Sequence, residues 1–172
     1  MVNESGKLQK IGEMRRKRQA LPQARCEEIL RCGSAGVLAV LGYEGYPYAV
    51  PLSYVWHNGT VYFHSALQGH KLEAVRRCSK ASFCVIGADE VKPQSFTTYY
   101  RSVIVFGQVR ILESGPEEQA AIQALAAKYA PNSTESERRQ EIQAERGRFC
   151  ILALTPELVT GKEAIEFVRG EA

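Results

Sequence analysis

The chain has 172 residues, 45% hydrophobic and 24% charged, with a formal net charge of +3, which allows one substantial core and no comfortable second one. One Asp (Asp89) against 18 Glu excludes an EF-hand loop, an aspartic dyad and a DxD metal cradle; three His with neither HExxH nor a CxxC pair leave no metal site to propose. Residues 1–18 hold six Lys/Arg against two Glu, so they carry +4 and the other 154 residues sum to −1, a near-neutral body that makes a poor nucleic-acid footprint.

Residues 1–13 are polar and are expected to form a disordered tail ahead of a single domain over 14–172. The basic run Met14–Arg18 (MRRKR) is too short and isolated for a nucleic-acid arm and reads as a solvated approach to the first element. Pro22 suits the first turn of a helix running to about Cys32, with Ile29 and Leu30 inward and Gly33 as its stop. Gly36–Gly42 is a near-continuous apolar run of strand length, Tyr43–Pro47 has turn chemistry, and Tyr48–Trp56 (YAVPLSYVW) resumes as a strand. Asn58-Gly59 is a strong hairpin signal, and Thr60–Ser65 is its return strand. Gly69–Cys78 reads as a short helix, Ala81–Ala88 as a fourth strand, and Thr98–Glu113 as a long alternating strand with a bulge or bend at Gly107. Pro116–Tyr129 is an amphipathic helix, Thr134-x-x-Glu137 is a capping box opening a polar helix to about Arg146, and Phe149–Leu154 is the last strand. Six strands with short links predict a mainly β fold, a small antiparallel barrel with peripheral helices.

The five Cys (26, 32, 78, 84 and 150) are odd in number and widely spaced, as buried free thiols in a reducing compartment would be. The amino terminus has no apolar signal region, and no segment approaches the ~20 apolar residues of a membrane span. A soluble, cytoplasmic protein without a membrane or nucleic-acid partner is expected. No GxG pair, GxxxxGK[ST] loop or GxSxG elbow occurs, so any nucleotide must be held by side chains and a barrel surface.

The chemistry concentrates between Tyr48 and Arg77. Pro51 removes a ladder donor from a strand-like run, which fits either an edge strand or a strand whose backbone faces a flat ligand. Next comes a strand end, a tight loop and a helix start, Tyr62–Lys71 (YFHSALQGHK), with two His, a Ser and a Lys within eight residues. A Lys and a His in a helix's first turn carry the wrong charge for that end unless an anion occupies it. Taken singly, His64 reads as a satisfied strand histidine and Lys71 as a solvated surface lysine; their clustering points to a phosphate site. Phe96–Ser102 (FTTYYRS) is open between ordinary β-propensity and the lining of a heteroaromatic ligand.

At these residues the chain resembles the pyridoxamine-phosphate-oxidase-like flavin-binding superfamily, and within it the nitroimidazole-reductase (nitroimidazole-resistance) branch. The matching stretches are MRRK at 14–17, GYPYAVPLSYV at 45–55, VYFHSALQGHKLEAVRR at 61–77, TTYYRSVIVFGQVRI at 97–111 and, more weakly, TGKEA at 160–164. The resemblance implies a six-stranded split β-barrel that forms a homodimer, with FMN in two clefts at the subunit interface. It places the backbone of Val50, Pro51 and Leu52 along the isoalloxazine edge, with Ser53 also among the cofactor-binding residues. Phe63, His64 and Ser65 border the ring and ribityl chain, and His70 and Lys71 hold the phosphate. Tyr100 and Ser102 approach from the neighbouring strand or the partner subunit. The true oxidases commonly carry Arg at the phosphate, where this chain has His70, and their pyridoxal-phosphate pocket signature is not recognisable, so pyridoxamine oxidation is not expected.

Two functions follow from the resemblance. One is an FMN-dependent oxidoreductase that passes electrons from a reduced nicotinamide or another donor to a small acceptor such as a nitroaromatic, with His64 as the catalytic candidate. The other is a non-catalytic module that binds or stores flavin or haem, the axial choices for haem being His57, His64 and His70.

Overall fold

The computed structural model describes residues 14–170; the tail expected over 1–13 lies outside them. Helix α1 (Gln23–Cys32) follows Pro22 and buries Cys26, Ile29 and Leu30, which the helical repeat places on one face. It ends where the Gly33 N–H bonds the Ile29 carbonyl at 2.9 Å. Seven strands then build one antiparallel sheet: β1 (Ala35–Leu41), β2 (Pro47–Ser53), β3 (Val55–His57), β4 (Thr60–Ala66), β5 (Lys80–Lys92), β6 (Thr97–Ile111) and β7 (Phe149–Glu163). The helices between and after them are α2 (His70–Arg77), α3 (Pro116–Tyr129), α4 (Glu135–Ala144) and α5 (Ile165–Arg169). No helix among the described residues is long and apolar enough to cross a membrane.

The sheet order is β2-β1-β5-β6-β7-β4-β3. This corrects the expected six-stranded split barrel in its strand count and closure: there are seven strands, in one unclosed sheet. The extra strand arises because the run 48–56 breaks at Tyr54. Its ring is buried against Phe83 (centroids 4.8 Å apart), and its backbone leaves the ladders for a side chain. The Tyr54 N–H donates to the Tyr129 hydroxyl at 2.8 Å, and that hydroxyl is also 2.8 Å from the Tyr54 carbonyl. Before Tyr54 the chain pairs with β1; after it, with β4. The strands at the two ends of the sheet are therefore one residue apart along the chain, so the sheet has to curl until its edges meet. The covalent chain at Tyr54 joins the two edges, and no ladder runs along the seam between them.

Local chemistry explains most of the remaining course. Asn58 and Gly59 both have positive φ (49° and 76°), as the tight β3–β4 hairpin requires. The register slips between Phe106 and Gly107 opposite Pro156, where a Cβ on Gly107 would collide with the Thr155 carbonyl. That bulge lets β7 run on to Glu163, well past the expected end at Leu154. The Thr134–Glu137 capping box forms in full: each side chain bonds the other's backbone N–H at the start of α4.

Inside the curl, Leu38, Phe63, Phe83, Val85, Val103, Val105, Leu152 and Leu154 pack with Leu72 and Val75 of α2. A second cluster on the opposite face seats Ala121 and Leu125 of α3 over Tyr62, Ile151 and Ala153. The remaining outer surface is different. The cross-strand row Pro51–Val37–Cys84–Ile104–Thr160 is exposed or half-buried throughout, as is the row Ala49–Ala39–Ser82–Phe106–Leu158 beside it. A sheet face this apolar and this open needs an explanation.

Candidate functional site

The seam between β2 and β4 is where the chemistry-bearing residues gather. Beyond the β3–β4 ladder, β4 continues beside β7 while β2 turns to β1, so the two strands approach each other without exchanging hydrogen bonds. The Ala66–Gly69 loop then leads into α2. Gly69 has φ +129°, a conformation that favours glycine, and no side chain caps the helix. The Leu72 and Glu73 N–H groups bond back to the Gly69 carbonyl at 3.0 and 3.2 Å. The N–H groups of His70 and Lys71 remain as the open donors of that end.

Lys71 belongs to this corner. It is half-buried and has no carboxylate partner among the described residues; burial pushes its ammonium below the ordinary lysine range. Its charge interacts with Cys150, which sits opposite Ser65 on the β4–β7 ladder. Burial raises the Cys150 thiol, while Lys71 and Arg76 pull it back down. The Cys150 thiol also bonds the Ala66 carbonyl at 3.6 Å. Ser65 is buried on the inner side of β4, and His64, the next residue, is exposed on the outer side.

β2 is an edge strand, paired to β1 alone. Its burial alternates: Val50 and Leu52 pack toward the core, and Pro51 and Ser53 are exposed. Val50 and Leu52 can thus offer the seam only their backbone, whereas Pro51 and Ser53 present side chains as well.

The structure places four of the other expected residues as follows. The Phe63 ring is fully buried, edge-on to Phe83 with centroids 4.9 Å apart, so only its backbone can border a ligand. The His70 ring is sandwiched between Tyr48 (4.3 Å, 6° between planes) and Tyr43 (4.6 Å), with the Arg77 guanidinium 4.3 Å from the Tyr43 centroid. Its Nε2 is buried without a hydrogen-bond partner. His70 therefore pins α2 to the β1–β2 hairpin through its ring, while its backbone N–H is one of the open donors at the α2 amino terminus. Tyr100 and Ser102 lie on β6, three strands from β2 and two from β4 in the sheet order, so β6 is adjacent to neither seam strand. The Lys162 ammonium lies 5.4 Å from the Tyr100 ring centroid instead. Of the three histidines, only His64 is an exposed ring on the seam strands; His57 contacts the Asn58 side chain in the β3–β4 turn.

Sequence reasoning missed Cys150, Arg76 and the Tyr43–His70–Tyr48 stack, because no short-range pattern ties residue 150 to residue 71 or residue 43 to residue 70. It also missed a cavity of about 770 Å³ under α3 and α4, lined among others by Leu67, Glu118, Arg139, Arg146 and Cys150.

An antiparallel sheet curled to a seam, with an uncapped helix amino terminus and a half-buried lysine that has no carboxylate partner among the described residues, makes a corner that can accept an anion. The chain belongs to the pyridoxamine 5'-phosphate oxidase family, whose pattern it matches over residues 22–163. No curated protein matches it. Among solved structures it is similar to a conserved hypothetical protein of Mycobacterium tuberculosis (TM-score 0.76, 16% identity, covering 88% of this chain and 90% of that one). It is also similar to a protein of Bacteroides thetaiotaomicron assigned to 5-nitroimidazole antibiotic resistance (TM-score 0.67, 21% identity, 84% and 86%). A third is the FAD and haem binding protein of Mycobacterium smegmatis (TM-score 0.67, 18% identity, 90% and 80%). At these identities the likeness shows the fold.

Proposed function

We propose that this chain is a flavin-binding oxidoreductase that acts as a homodimer. The observation that carries the reading is the α2 amino terminus: two open backbone N–H groups beside Lys71, a half-buried cation with no carboxylate partner among the described residues. A phosphate would complete all three, since helix amino termini and unpaired ammonium groups both favour a dianion. The donor set fits a flavin phosphate, and the free edge of β2 fits the polar rim of its ring. When bound, the flavin supplies the electron and hydride transfer.

The chain's own residues then have separate tasks. The α2 N–H groups and Lys71 hold the phosphate, the β2 backbone from Val50 to Ser53 orients the ring edge, and His64 stands exposed where a substrate would meet it. Family membership and the FAD-binding neighbour support a flavin in this place. The apolar rows across β2, β1, β5, β6 and β7 support a second copy packed on the outer face, which would bring its Tyr100 and Ser102 to the first copy's seam. Reduced nicotinamide as donor and a small nitroaromatic as acceptor complete the proposed reaction, the latter supported by likeness to the resistance-assigned fold.

Two measurements test this. The visible spectrum of the purified protein should show flavin; a haem Soret band or a colourless protein would overturn the cofactor. Consumption of reduced nicotinamide should then rise when a nitroimidazole is added. Bound flavin with no turnover on any acceptor would favour the non-catalytic flavin-binding function.

A further inference from the structure

The basic run at residues 15–18, which reads from the sequence as a solvated approach, is laid against the end of β7. Gln19 Nε2 donates to the Glu163 carbonyl at 2.9 Å, Ala20 bridges Lys162, and the Leu21 N–H donates to the Gly161 carbonyl at 2.9 Å. Two concavities result, of about 540 and 300 Å³, and Arg15 and Arg16 line both. The larger adds Lys17, Arg18, Gln19 and Ile165; the smaller adds Met14 and Lys162. No described carboxylate lines either one. Arg15, Arg16, Arg18 and Lys162 have no carboxylate partner among the described residues. Cations gathered without a counter-charge favour a ligand with several negative charges.

Two further observations narrow the ligand. Gln19 is only 3% exposed, and its Oε1 is buried with no hydrogen-bond partner among the described residues. An orphaned acceptor in a pocket wall calls for a ligand that also carries an N–H or O–H donor. Lys162 stands opposite Ser102 on the β6–β7 ladder, with its ammonium 5.4 Å from the Tyr100 ring centroid. Tyr100 and Ser102 are the residues that the proposed dimer carries to the partner's seam, so the basic pocket arrives beside that seam with them. A nucleotide joins phosphates to hydroxyl and amino donors and to a flat base that Ile165 can pack against. Among nicotinamide donors, NADH brings only its pyrophosphate. NADPH adds a 2′-phosphate of about −1.5 to −2 charge at neutral pH, which matches the cluster of cations better.

We propose that this pocket binds the adenosine 2′-phosphate end of a phosphorylated nicotinamide dinucleotide, so that the chain takes NADPH in preference to NADH as its donor. Arg15 and Arg16, common to both concavities, hold the 2′-phosphate. Lys162, beside Tyr100, holds the pyrophosphate on the side that meets the partner's seam. Gln19 Oε1 accepts from the adenosine, and Ile165 packs on its base. This rests on the flavin and homodimer reading of the seam and names the donor that serves it.

The test is a calorimetric titration of the purified full chain with NADP⁺ and NAD⁺, oxidised forms that bind without donating hydride. Wild type should bind NADP⁺ roughly tenfold or more tightly than NAD⁺. The double variant Arg15→Gln, Arg16→Gln should erase that advantage while leaving the NAD⁺ and flavin affinities unchanged, and Arg15→Lys, Arg16→Lys should keep most of it. Adenosine 2′-monophosphate should displace NADP⁺ at lower concentration than inorganic tripolyphosphate does. Equal nucleotide affinities in wild type, or a preference that survives the double glutamine variant, would overturn the donor site and leave the flavin site standing. Tripolyphosphate competing as well as the nucleotide would overturn it too, by showing an unselective anion patch. An NADP⁺ preference in a protein that binds no flavin would keep the pocket and remove the flavin reading instead. The wild-type comparison alone decides the matter if the double variant does not fold.

Discussion

Lys71 shows how a single residue can cost stability in order to bind. Desolvation lowers its ammonium below the ordinary lysine range, so the folded apoprotein holds fewer protons than the unfolded chain between that lowered pKa and the ordinary one. The stability of the apoprotein should therefore rise with pH across that alkaline window, and the penalty is present in full below it. Lys128, also depressed by burial, adds to the same slope. Lys71→Met keeps the apolar stem and removes the charge, so it should raise the melting temperature of the apoprotein and flatten the alkaline slope without abolishing it. The same variant should weaken flavin binding by about 1.5–3 kcal/mol, the scale of a charge-assisted contact. Calorimetry with and without flavin checks both signs. His70 should behave in the opposite way. Its ring stacks on two tyrosines, so His70→Ala should destabilise by about 1–3 kcal/mol in urea and His70→Phe should recover most of that loss. Flavin affinity should change far less in either than in Lys71→Met. The sequence marked both residues by the same violated charge rule, yet only the fold separates a packed ring from a free cation.

At the scale of elements, the telling feature is the break at Tyr54. The run 48–56 reads as one strand because its apolar content is continuous, and nothing nearby announces that residue 129 will intercept its backbone. The Tyr129 hydroxyl bonds the Tyr54 N–H and reaches the carbonyls of Tyr54 and Ser34. Tyr129→Phe keeps the ring and strands those backbone groups, so it should cost about 1–3 kcal/mol of stability, measured by urea unfolding. It should also loosen flavin binding, since the same clamp sets where β2 leaves β4. A variant with unchanged stability would show that water replaces the hydroxyl. Other elements were readable because their causes are local: Asn58-Gly59 for its hairpin, Thr134 and Glu137 for their cap, and Gly107 for its bulge. The far half of β7 was not, because Thr155–Glu163 lacks a clean apolar alternation and becomes a strand through pairing with β6.

For the whole molecule, the open question is what covers the outer sheet face. Ile104 sits mid-row between Cys84 and Thr160 and makes no core contact that would explain an isoleucine there. Under the proposed homodimer, Ile104→Glu should turn a dimer into a folded monomer by light scattering, and flavin retention should fall with it because each seam loses its partner's Tyr100 and Ser102. A wild-type monomer that retains flavin would remove the dimer and the role of both residues. Bound flavin should in turn stabilise the assembly, by about 2.7 kcal/mol at a hundredfold excess over its dissociation constant.

Residue periodicity and turn chemistry were enough to foresee a mainly β antiparallel fold and most of its helices, and the charge anomaly at Gly69–Lys71 singled out the corner where the proposed anion site lies. Each depends on interactions within a few residues, and these are written in the order of the chain. Tertiary packing decided the rest: the seventh strand, the unclosed seam, the inward turn of Phe63, the stacking of His70, and the cavity under α3 and α4. Those features come from residues tens of positions apart, such as Tyr54 with Tyr129 and Lys71 with Cys150. The curl of the sheet, not their sequence neighbours, brings them together.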